Sequence, residues 1–299
     1  MAFKRAGHHK FDYLYNISMK LIDEGRSETN FSFDHDKENK HGVSAGQNSL
    51  HFSSFDESIN FILSHFQSPF DEFPRKMMTF KSNAQFTVIS KEEILNRCKQ
   101  SNYKDCLINA YPEIIKKDGI LVQPPNFILI DLALANFDGD IKKLDKVKNS
   151  TQRKMAVVSG FPTVFWTGNG YQICLPVQIS VLDHQYVFSK YKFPSLFSKK
   201  GKYSEYHISE VFMQFAGMYF TNKKSDTQHG AKYKTCLTRI PETYNTECLL
   251  KGKSEGESKV KLLQKWDGIR IDAEPLIHDF GIWLIQQELD LKNTKIRKT

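Results

Sequence analysis

The stretch FILIDLAL (127–134) limits what this chain can become more than any other. It is a nearly continuous apolar run entered through the Pro124-Pro125 break, short enough for a strand, and such a run suits a buried central strand. One carboxylate, Asp131, interrupts it. An unpaired ionised carboxylate is costly to bury, so Asp131 needs a cation, a hydrogen-bond cluster or solvent at the sheet edge. The residues alone leave two roles open: a structural acid that caps the strand or pairs with a core arginine, or a ligand for an external cation.

The segments around this run read as alternating helices and strands. Phe11, Leu14, Tyr15, Ile17 and Leu21 share roughly one helical face, which predicts an N-terminal amphipathic helix over 1–23. The polar, aperiodic stretch that follows predicts a flexible loop over 24–50. Helices are expected over 53–66, KEEILNRCKQ, 142–155, 208–220 and PLIHDFGIWLIQQELDL. Strand patterns occupy MTFKSNAQFTVIS and KYKTCLTRIP, and PTVFW–TGNG–YQICLPV reads as a β-hairpin. KGKSEGES has the composition of a flexible polar loop. The expected division is a core over 51–250 followed by a loop and C-terminal helix over 251–299.

Composition narrows the partners. Forty-two Lys and Arg against 34 Asp and Glu give a net charge of +8, which suits a polyanion without requiring one. The five cysteines are an odd number, scattered, and lack a CxxC pair, so reduced thiols and no zinc are expected. No apolar run reaches the roughly 20 residues that span a bilayer, and the first residues lack the apolar core of a signal peptide. A cytoplasmic protein without a membrane partner is the expectation.

Two further pieces carry possible chemistry. Thr167-Gly168-Asn169-Gly170-Tyr171-Gln172 is a turn whose two glycines let backbone amides approach a phosphate, although the same residues also make an ordinary hairpin turn. In SDTQHGAKYKTCLTRIPETYN, Asp226 stands with Lys232, Lys234 and Arg239, which is either a solvated basic loop or part of an anion site. Arg239 lies between Leu237 and Ile240, and a guanidinium there calls for an anion such as phosphate.

Taken in order, the Asp131 strand, the TGNGY hairpin, a helix, an acid and CLTRIPETYN resemble the archaeo-eukaryotic primase superfamily, with the match closest to primase-polymerases of archaeal chromosomes and mobile elements. The resemblance runs over about 109–245. It implies an α+β fold, a mixed β-sheet core with an N-terminal αβ layer and flanking helices, and a helical domain that can continue beyond the basic tail. It also implies template-directed nucleotidyl transfer from dNTP or NTP to a 3′-hydroxyl, using Mg²⁺ or Mn²⁺, on single-stranded DNA template and primer alongside a helicase or replication proteins. By this resemblance Asp131 and Asp226 are metal ligands, and Thr167, Gly168, Asn169, Gly170, Gln172 and Arg239 hold the nucleotide. Lys232 and Lys234 face DNA. The chain departs from the pattern at Ala133, which stands where the second acid of DxD belongs, and at Gln172, which replaces the turn histidine. A methyl group cannot bind a metal ion, so the Ala133 form is expected to be inactive or strongly impaired. The alternative is a non-catalytic module that binds single-stranded DNA or nucleotide.

Overall fold

In a computed structural model, the described residues are 50–65, 73–109, 113–116, 119–122, 127–158, 160–177, 193–204, 206, 208–225 and 236–296. The expected N-terminal helix, and the polar loop except for Leu50, lie outside them. Two sheets organise these residues. Strands β1 (Arg75–Met78), β2 (Phe86–Val88), β3 (Leu107–Asn109) and β9 (Leu237–Arg239) form one, in the order β2-β1-β3-β9. Strands β6 (Phe127–Ala133), β7 (Thr163–Trp166), β8 (Gly170–Pro176) and β10 (Lys261–Gln264) form the other, in the order β10-β7-β8-β6. A ribbon of β4 (Glu113–Lys116) and β5 (Gly119–Val122) stands apart from both. The α+β class is as expected. The named strands pair antiparallel throughout. Parallel pairing enters as the isolated bridges Lys104↔Tyr244 and Val177↔Ile271.

The apolar run predicts a central strand, but β6 stands at the end of its sheet order among the described residues. Its hydrophobicity has another cause. Ile128, Ile130 and Leu132 point to one side and are fully buried, on the side where Tyr171, opposite Leu132, hydrogen-bonds Asp145. Asp145 belongs to a helix spanning Ile141–Val157, which packs on another spanning Ile208–Thr221. Leu129, Asp131 and Ala133 point to the opposite side, toward the second sheet, as the period of two requires. The edge strand is therefore covered by helices on one side and by a sheet on the other.

The helices begin where their capping residues are. Ser54 accepts a hydrogen bond from Glu57 N to start α1 (Phe55–Ser64), and Ser90 accepts from Glu93 N to start α2 (Lys91–Gln100). Asp140 accepts from Lys142 N and Lys143 N at the head of α3 (Ile141–Val157). Short helix α4 (Pro194–Phe197) precedes α5 (Ile208–Thr221). Glu288 accepts from the backbone N–H of Ser195 and Leu196 at 3.0 and 3.1 Å, tying α4 to the long final helix. The segment KGKSEGES is more ordered than its composition suggests. Asn245 caps α6 (Thr246–Leu250), and a reciprocal capping box of Ser254 and Glu257 starts α7 (Glu255–Ser258). The S-x-x-E spacing was the visible signal. After β10, helix α8 (Glu274–Ile296) buries Leu276, Phe280 and Leu284, with Phe280 edge-on to Phe212 of α5.

A buried histidine connects α1 to the larger sheet. His65 Nε2 lies 2.6 Å from Thr163 Oγ1 and its Nδ1 lies 2.8 Å from the Phe61 carbonyl. Neutral imidazole satisfies both contacts, with Nδ1–H donating to the carbonyl and Nε2 accepting from the hydroxyl. Burial pushes the His65 pKa down to about 4, with the nearby Arg270 charge acting in the same direction and the Phe61 carbonyl opposing. Because the folded value lies below the ordinary histidine value of 6.5, stability contributed by neutral His65 is present above 6.5 and is lost as pH falls toward 4. The full effect is on the order of 3 kcal/mol. Thermal melting followed from pH 7 to pH 4.5 is expected to show this loss, and His65→Gln is expected to flatten the profile.

Candidate nucleotide site

β6 and β8 bring the first two sequence pieces together. Their register sets Asp131 opposite Gln172 and Ala133 opposite Gly170. Gln172 is buried and its amide has a partner at each end. Its oxygen accepts from Thr238 Oγ1 and from Arg239 N, each at 3.1 Å, while its nitrogen donates to Asp131 Oδ2 at 3.4 Å. Two donors on one end and a carboxylate on the other fix which end is oxygen. The amide thereby joins the two sheets, since Thr238 and Arg239 belong to β9.

The charge of Asp131 reaches two buried thiols. Burial pushes Cys236 up to about 12, and the Asp131 charge adds to the effect; Cys174 is raised by burial, by Cys236 and by Asp131. Burial therefore keeps both thiols in their protonated form at neutral pH. Ala133 follows on the same side of β6 and presents only a methyl group. The described residues contain no group of three or more His, Cys, Asp or Glu able to hold a metal ion. As they stand, the described donors do not fit a two-ion centre, which needs carboxylates to share the ions.

Arg239 has its anion inside the protein. Its Nη1 lies 2.9 Å from Asp105 Oδ1, and both side chains are largely shielded. Asp105 also accepts from Thr246 N at 3.1 Å and from the Thr246 hydroxyl. A phosphate partner was the expectation; the structure pairs the guanidinium with a carboxylate that the sequence gave no reason to single out. A guanidinium carries five N–H donors, more than this contact uses.

The TGNG turn is built into the protein rather than held out from it. Thr167 N donates to Gly170 O at 2.9 Å, and Leu134 N donates to Asn169 O at 2.8 Å. Asn245 Nδ2 donates to Thr167 O at 2.8 Å, and Lys253 Nζ donates to Gly168 O at 2.8 Å. The glycines have internal reasons. Gly168 has φ of +89°, and a Cβ there would lie 2.9 Å from Cys248 Sγ. A Cβ at Gly170 would lie 2.3 Å from Leu132 O, so the turn's last residue must be bare for β8 to approach β6. Asn169 Nδ2 also reaches Glu247 at 3.2 Å.

Asp131, Ala133, the residues Thr167 to Gln172 and Arg239 thus converge, while Asp226, Lys232 and Lys234 lie outside the described residues. Sequence reading missed Asp105, Thr238, Asn245 and Lys253. The segment CLTRIPETYN was legible as a motif, but a hydroxyl or amide that serves another strand leaves no period to detect.

No family model matches the chain, and no curated protein matches its sequence. Among solved structures it is similar to the catalytic domain of the primase RepB′ in complex with initiator DNA, at 13% identity and a TM-score of 0.40, covering 82% of this chain and 98% of that one. It is also similar to the polymerase domain of Mycobacterium tuberculosis ligase D in complex with DNA, at 11% identity and a TM-score of 0.32, covering 64% of this chain and 75% of that one. The functional reading rests on this chain's own residues.

Gln172→Leu removes the acceptor for Thr238 and Arg239 and is expected to cost about 1–3 kcal/mol, read from chemical denaturation. Gly170→Ala forces a methyl group against the Leu132 carbonyl, and a loss of about 1–3 kcal/mol is expected from overpacking.

Proposed function

We propose that the chain is a scaffold of the primase-polymerase type, a template-directed nucleotidyltransferase whose transfer step is disabled at Ala133. The observation that carries this reading is the meeting of three sequence-distant pieces at Gln172: the Asp131 strand, the end of the TGNGYQ turn and the CLTR strand. Neither a structural acid nor an ordinary hairpin turn by itself calls for the third piece.

In this reading the nucleotide lies against the Asp131 side of β6 and β8. The Thr167–Gln172 turn forms one wall, and Lys253 brings an ammonium to that wall through its bond to Gly168 O. Arg239, held by Asp105, presents its remaining guanidinium donors to phosphate oxygens. Asp226 is assigned as the further acid, and Lys232 and Lys234 as template contacts, on the motif order. A bound Mg²⁺ or Mn²⁺ would neutralise triphosphate charge, and the residue it lacks on this side is the carboxylate at 133. Gln172, being neutral and internally satisfied, positions Asp131 and donates no proton.

The second reading is a non-catalytic module that binds single-stranded DNA or nucleotide. It is favoured by the methyl group at 133 and by the absence of a metal-ligand cluster among the described residues.

Primer extension on a primed single-stranded template separates the two. Ala133→Asp is expected to extend the primer with Mg²⁺ or Mn²⁺ while the unsubstituted chain extends it at least a hundredfold more slowly. Silence from both folded proteins would sink the transferase reading and leave the binding module.

A further inference from the structure

Immediately after Ala133 the chain makes a 3-10 turn, Leu134–Phe137, that opens onto a groove of about 670 Å³ between α3 and the end of α5. Its cations are Lys143 and Lys146 from α3 and Lys223 and Lys224 from the turn after α5, and no carboxylate is among the described residues that line it. Lys143, Lys146, Val147 and Ser150 occupy one helical stripe, spaced three and four residues apart. Phe137 and Val147 are buried and give the groove an apolar floor. Asn136, Ser150, Asn222 and Ser225 supply neutral polar groups along it.

The placement of these lysines disfavours a purely structural role. Lys143 and Lys146 lie in the first two turns of α3, where the positive end of the helix dipole repels them. Asp140 offsets this only in part, since it already caps the helix and stands 3.8 Å from Lys143. On the other wall, Asn222 and Lys223 have φ of +53° and +64°, a left-handed pair that carries the chain from α5 toward the groove. All four lysines are exposed. Exposed ammoniums grip a compact anion weakly, but each releases a counterion when a strand of phosphates runs past, so their effects add along a polyanion.

We propose that this groove binds the sugar-phosphate backbone of a single-stranded nucleic acid, at a site separate from the Asp131 side of the sheet. Leu132 and Tyr171, on the helix-covered side of β6 and β8, lie opposite in orientation to Asp131 and Gln172. A strand seated here passes along the outside of α3, with phosphates against the lysines and sugars over Phe137 and Val147. The assignment goes beyond the transfer chemistry and rests only on the nucleic-acid part of the reading above.

The test is fluorescence anisotropy of a labelled single-stranded oligonucleotide with the full chain across a salt series. Lys143→Glu/Lys146→Glu and Lys223→Glu/Lys224→Glu are compared with Lys199→Glu/Lys200→Glu, which changes net charge equally at exposed positions outside the groove. Each groove pair is expected to weaken binding about tenfold or more at moderate salt and to reduce the log–log salt slope by about 1–1.5. The control pair is expected to change both far less. Groove pairs that melt normally and bind like the control would overturn the proposal. So would a nucleoside triphosphate that displaces the oligonucleotide from the unmodified chain but not from the groove variants, since that assigns the groove to free nucleotide. Milder Lys→Gln pairs, read in the same assay, replace any reversal that fails to fold. Extension by Ala133→Asp with unchanged oligonucleotide binding in the groove variants would remove the groove and keep the transferase; groove-dependent binding without extension would do the reverse.

Discussion

The amide of Gln172 is the join on which the site depends. It spends its oxygen on β9 and its nitrogen on Asp131, so the position of the acid is tied to the spacing of two sheets. Neutral hydrogen bonds of this kind each contribute about 1 kcal/mol net, but losing the amide would leave buried Thr238 without its acceptor, and that cost is larger. A charged residue here would have to be desolvated against Cys174 and Cys236, both buried beside Asp131. Glutamine satisfies three groups at once without adding a charge.

Further bonds around Arg239 and the turn support that join. Asp105 holds Arg239 on one side and the first turn of α6 on the other, and Asn245 caps α6 while bonding the Thr167 carbonyl. The hairpin, β9 and α6 are consequently one braced unit. The stability of the turn is set as much by residues 245–258 as by its own glycines, because Gly168 is packed against Cys248 and bonded to Lys253.

Much of the architecture was legible in the sequence because it follows local rules. The hairpin of β7 and β8, the helix starting after Ser54, the helix expected over 142–155 and the long final helix all announce themselves through period, cap or glycine. The position of β6 was not legible. An apolar run reports burial on both sides but not whether strands or helices provide it, and here helices do so on one side. In the site, Asp131 and the turn stood out because an acid in an apolar run and a pair of glycines are conspicuous. Asp105 and Thr238 did not, since their partners are distant in sequence: Asp105 and Arg239 meet only when β3 pairs with β9. The internal partner of Arg239 was not foreseen for the same reason. An arginine between apolar residues announces a need for an anion but says nothing of whether the fold already contains one.

The close approach at Gly170 bears on how such chains should be compared. The glycine is demanded by the Leu132 carbonyl, a contact that exists whether or not a nucleotide ever arrives. Folding alone holds position 170 to glycine, whereas position 133, whose side chain answers to no neighbour across the strand larger than a hydrogen, is free of that constraint. The turn glycine therefore reports the packing of two strands, and the residue two places beyond Asp131 is where a change of side chain meets the least resistance from that packing.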